Sequence, residues 1–132
     1  LEESASTLNS MGVAQDLLGR HGDAKASYQR AIDLSPGDLD LNSNLAVSNA
    51  LSGNIEEAVS QMSLVATAPA ATARHRGNLA MILVFAGREN EARDVLDGDL
   101  SAAETDEAID RFTRWARIED SGAKAAAINA GA

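Results

Sequence analysis

An all-α solenoid of three helix-turn-helix units with a C-terminal capping helix is the fold this sequence predicts, on three observations. Leu45, Gly53 and Ala58 have counterparts 34 residues earlier at Met11, Gly19 and Ala24, and 34 residues later at Leu79, Gly87 and Ala92. A period of that length marks units that stack and bury each other's apolar faces. On both sides of each glycine, apolar residues recur at helical spacing, which predicts helix, turn and helix. Hydrophobic residues make up 45% of the chain but aromatic ones only 3%, so alanine carries much of the apolar content, as close helix packing requires.

The first unit pairs a helix over about 5–18 with one over about 23–34. Ser35-Pro36-Gly37 ends it, because proline disfavours helix at the residue before it and has no amide donor. The second unit pairs about 38–52 with about 55–68; Asn54 and Glu57 have the spacing of a capping box. Ala68-Pro69-Ala70 ends that unit. The third pairs about 71–86 with a short helix over about 89–96, broken at Asp97-Gly98-Asp99. Ser101 and Glu104 form a second capping-box pair, opening a helix that runs to about 118 and shows Ala108, Ile109, Phe112, Trp115 and Ala116 on one face. It is expected to cover the outer side of the third unit. The repeats then span about 5–38, 39–72 and 73–106, with the cap at about 102–119, all in a domain over 1–119. Residues 120–132, rich in glycine and alanine, read as a flexible tail.

These residues resemble the tetratricopeptide repeat (TPR), a right-handed helical solenoid. The resemblance rests on small residues at the eighth position of each unit (Gly12, Ala46, Ala80) and alanine at the twentieth (Ala24, Ala58, Ala92). Large side chains stand four residues later (Tyr28, Met62, Leu96), and Pro36 closes the first unit. Asp99 departs from the small residue the pattern wants.

Composition excludes several functions. The net charge is −9, with 11 acidic residues against four arginines between Glu89 and Asp120. Without a Lys/Arg cluster the chain has no means of neutralising a phosphate backbone or an anionic membrane, so nucleic acid is not an expected partner. With no cysteine there is no disulfide or thiolate metal site. No apolar run reaches the roughly 20 residues of a membrane span. The chain starts at Leu1, without methionine, and is helical in pattern by Ser4. That reads as a fragment, with any signal or lipid anchor upstream.

No catalytic or metal constellation stands out, and neither an enzyme nor a cofactor is expected. His21 and His75 are too few and too far apart for a metal site, so His21 is expected in the turn and His75 packed or facing solvent. Gly19 to Lys25 lacks phosphate-loop spacing. Asp97-Gly98-Asp99 lacks the ligand ladder of a calcium loop.

The TPR resemblance implies that the first helix of each unit lines a concave face. On that face Val13, Val47 and Met81 form one apolar row, and Leu17, Leu51 and Phe85 another, flanked by Asn44, Asn78 and Arg74. This makes the first helices apolar over more of their circumference than hairpin packing needs. A protein or peptide partner in an apolar groove is the expected use, with neighbouring helices or an upstream segment as the alternative cover. Some TPR co-chaperones clamp a terminal carboxylate with lysines and asparagine; Val13 and Asn9 leave that clamp incomplete.

The third unit adds a narrower likeness. Arg74-His75-Arg76-Gly77-Asn78-Leu79-Ala80, Phe85-Ala86-Gly87-Arg88, Glu91-Ala92 and Asp99-Leu100-Ser101 resemble the TadD family of tight-adherence (Flp) pilus assembly lipoproteins. That resemblance implies a scaffold for secretin or pilus assembly at the periplasmic face of the outer membrane. The alternatives are a cytoplasmic adaptor or co-chaperone, and a purely structural subunit whose groove is filled by its own chain or by self-association, with Trp115 in the contact.

Overall fold

The computed structural model describes residues 3–131. Among them are eight helices: α1 (Ala5–Leu17), α2 (His21–Leu34), α3 (Leu39–Leu51), α4 (Ile55–Ala66), α5 (Ala73–Phe85), α6 (Glu89–Asp97), α7 (Ala102–Ala116) and α8 (Ser121–Ala130). Helices α1/α2, α3/α4 and α5/α6 form hairpins that stack in chain order, α2 against α3 and α4 against α5. Helix α7 packs on α5 and α6. The architecture is the helical solenoid that the repeat pattern predicts.

Each hairpin turns at a glycine with positive φ: 76° at Gly19, 91° at Gly53 and 76° at Gly87. A side chain there would meet the following carbonyl, so the 34-residue recurrence of glycine is a backbone requirement. Within the hairpins, the eighth-position residues let two helices approach. A Cβ on Gly12 would stand 2.5 Å from the Tyr28 ring, whereas Ala46 and Ala80, fully buried, accompany the non-aromatic Met62 and Leu96. The largest core cluster runs from Ala46 to Trp115 through the second and third hairpins and α7.

Neighbouring first helices are also joined by side-chain hydrogen bonds at a constant offset of 35 residues. Asn44 donates to Asn9 (2.7 Å), Asn78 to Ser43 (3.0 Å), and His75 Nε2 to Asp40 (2.7 Å). The His75 tautomer follows from geometry: Nδ1 accepts the Thr72 amide at 3.0 Å, so Nε2 carries the proton. Inside the hairpins, Ser27 donates to Gln15 and Asn49 to Gln61, both at 2.7 Å and one repeat apart.

Three expectations need correction. Residues 121–130 are not a flexible tail but a capped helix: the Asp120 carboxylate accepts the Ala123 amide at 2.8 Å, and Gly131 closes the helix at φ 71°. Half of its residues are alanine, the strongest helix former, so a composition that looks like a linker favours helix. Ala132 lies outside the described residues, as do residues 1 and 2. Asn54 makes no side-chain cap bond. In the corresponding turns, Arg20 pairs with Asp23 and Arg88 with Glu91. Trp115, which the self-association alternative places in a contact, is 6% exposed and belongs to the core under α7. The Ser101–Glu104 capping box forms as predicted.

Candidate functional site: the concave face and the helix that closes it

After α7 the chain reverses over Arg117–Asp120, and α8 crosses back to reach α1 and α3, the first helices of the first two hairpins. Its first turn sits against the α1–α2 turn. A Cβ on Gly122 would stand 2.8 Å from the Leu17 carbonyl oxygen and 3.4 Å from the Gly19 nitrogen, a closeness that only glycine permits. Beside it Ser121 Oγ lies 2.7 Å from His21 Nε2. One turn on, the Lys124 ammonium sits 5.3 Å from the centre of the Phe85 ring, and partial burial lowers its pKa. Ala125 is fully buried, and Ala127 and Ile128 pack on the core cluster.

Toward its C-terminal end α8 fits less closely. A cavity of ≈ 300 Å³ remains between it and the first helices, lined by Val13, Asp16, Tyr28, Asn44, Val47, Leu51, Arg74 and Asn78 from the repeats and by Ala125, Ile128, Asn129, Ala130 and Gly131 from α8. Six of the nine residues expected on the groove therefore meet around one space. The other three are elsewhere. Leu17 stays 41% exposed at the rim, Phe85 lies under Lys124, and Met81 is 1% exposed, inside the core. Met81 is thus closed to a ligand, because α5 packs against α6, α7 and α3 and its face is taken by hairpin packing. Leu51, 9% exposed, is also core-facing with only an edge on the cavity.

Beneath the groove is a polar centre that sequence reasoning did not single out. The Asp16 carboxylate, 4% exposed, accepts from Tyr28 OH (2.9 Å), Ser48 OH (2.8 Å) and His21 Nδ1 (2.7 Å). A carboxylate can only accept, so Nδ1 donates; in the neutral ring Nε2 is then the acceptor for the Ser121 hydroxyl. Burial, followed by the neighbouring Asp16 charge, pushes the Tyr28 phenol far above its ordinary range and keeps it a donor. The network ties α1, α2 and α3 to the start of α8. What sequence held of this was an acidic residue at a buried helical position in the first unit, with serine at the matching face of the second.

Among the described residues no group of three or more His, Asp or Glu side chains is placed to hold a metal ion, and no helix is long and apolar enough to cross a membrane. The site offers apolar contact, amide hydrogen bonds and one exposed guanidinium, Arg74, at its rim.

Comparison with protein families matches residues 5–38 to the tetratricopeptide repeat. Comparison with curated proteins finds no match. Repeats of this family generally mediate protein–protein interaction. The matched unit is one tetratricopeptide repeat, and the two hairpins that follow it repeat the same helix-turn-helix arrangement.

Proposed function

We propose that the chain is a non-enzymatic protein-interaction scaffold whose concave face holds an apolar helical segment of a partner. One observation carries this reading: the face already holds a helix, α8, packed on α1 and α3 with its first turn at the α1–α2 turn, and leaves ≈ 300 Å³ beside it, bordered by Val13, Val47 and Leu51. Burying each further aliphatic side chain there contributes about 1.5–3 kcal/mol, offset by the cost of association and of ordering the partner.

The likeness of residues 74–101 to the TadD family supports a narrower assignment, to secretin or pilus assembly at the periplasmic face of the outer membrane. The test is a binding titration of a purified secretin subunit from a tight-adherence system against the parent and Val13→Glu. Val13 borders the cavity and is half-buried, so a carboxylate there spoils the groove and spares the core. Binding by the parent alone supports the pilus role. Absence of binding by both removes that role and leaves the general scaffold.

A second reading is favoured by the same helix. A groove permanently filled by its own chain would make this a structural subunit, and the outer surfaces would then carry any contacts.

A further inference from the structure

We propose that α8 is a displaceable occupant of the groove, and that the partner is an amphipathic helix running in the direction of α8. Such a helix would place small side chains against α1 and a bulky apolar one in the space beyond Ile128. This rests on the reading of the concave face as protein-binding and adds the partner's pattern and its control.

The two ends of α8 differ in fit. At its start, Gly122 leaves no room for a Cβ and Ser121 bonds His21, so the register and direction of a helix here are fixed. At its end, Ile128 is the one bulky apolar side chain at the cavity, beside alanine, asparagine and glycine, and of all ten residues only Ala125 is fully buried. A ten-residue helix with so little buried surface is marginal without its seat. The seat therefore selects a helix by shape but leaves its apolar capacity unused. A partner with the same small residues at the start and a larger side chain near the position of Ala130 would fill what α8 leaves empty.

The connection to α7 is four residues, Arg117–Asp120, so α8 competes as an intramolecular ligand at high effective concentration. A partner's apparent affinity is lowered by the fraction of molecules in which α8 is docked. Loosening α8 is then a means of switching binding on with no change in the repeats.

The experiment compares the full chain with its Gly122→Val variant, whose added side chain meets the Leu17 carbonyl. The probe is a fluorescein-labelled peptide of residues 119–131, with a second peptide carrying Ala130→Leu. Amide hydrogen exchange reads α8 and the hairpins separately. The expected result is loss of protection over α8 alone in Gly122→Val, at least tenfold tighter peptide binding than to the parent, and tighter binding again for Ala130→Leu. Equal peptide binding by parent and variant overturns the gating while the groove reading stands. Release of α8 with no binding of either peptide overturns the groove reading and the proposal with it. Retained protection of α8 in the variant overturns the seat described for Gly122. If the hairpins also lose protection, Ala125→Asp is substituted, because it unseats α8 through its one buried side chain.

Discussion

Ser121 Oγ and His21 Nε2 lie 2.7 Å apart across 100 residues of chain. This contact joins the helix that closes the groove to the turn of the first hairpin, and through His21 to Asp16 and the second hairpin. The last helix of the chain is thus anchored to a polar centre built by the first three.

Replacing Asp16 with asparagine should be costly. Three donors converge on the carboxylate, and an amide offers one acceptor oxygen and an NH2 group facing other donors. The expected loss is about 2–4 kcal/mol in urea unfolding, more than for a single neutral hydrogen bond. A loss under about 0.5 kcal/mol would contradict the buried network.

Stability should fall above pH 10 for a traceable reason. Tyr28, the only tyrosine, has its folded-state pKa raised, so the unfolded chain releases a proton that the folded chain keeps. The stabilisation is whole below the unfolded value of about 10 and declines as pH rises beyond it. Phenolate absorbance should therefore appear only with unfolding. A tyrosine that ionises near 10 in the folded protein would contradict its burial against Asp16.

Gly12→Val should overpack the first hairpin. Even a methyl group would stand 2.5 Å from the Tyr28 ring, and the helices would have to separate. A loss of about 1–3 kcal/mol is expected, and the same substitution should cost less in a Tyr28→Leu background, which lacks the ring but itself loses the hydrogen bond to Asp16. Additive losses in the double variant would show that the two sites do not meet.

Gly53→Ala should cost about 1–2 kcal/mol, since its φ of 91° is unfavourable for an L side chain even though space is open around it. Gly37→Ala, also in open space but without positive φ, should be near neutral. Thermal melts of the pair test whether conformation sets the repeat glycine.

Thr105→Val should stabilise the chain by about 1 kcal/mol. The Thr105 hydroxyl is buried under α7 with no hydrogen-bond partner, so valine removes an unsatisfied group and keeps the shape. A destabilised variant would mean that the hydroxyl has a partner.

The hairpins were legible because their requirements repeat: a positive-φ glycine, a small residue at each close crossing and a large one facing it, every 34 residues. The cap was legible from Ser101 and Glu104 beside a periodic apolar face. Helix α8 was not, because its few apolar side chains give no periodic stripe. Its true signals were an alanine run between Asp120 and Gly131, which are a cap at each end. Of the residues expected on the groove, Val13, Asn44 and Val47 border one cavity, whereas Met81 lies in the core, since the sequence does not show how far α5 is enclosed by α6 and α7. The Asp16 centre depends on which side chains converge from three helices, which spacing along one of them does not reveal.

The most direct measurement is proton NMR of the unmodified protein at Lys124, one of two lysines in the chain. With the ammonium 5.3 Å from the Phe85 ring centre, the terminal methylene protons of Lys124 should be shifted upfield by the ring and show Overhauser contacts to it. Random-coil shifts for Lys124, with no contact to Phe85, would mean that α8 leaves the concave face open in solution and would contradict the account.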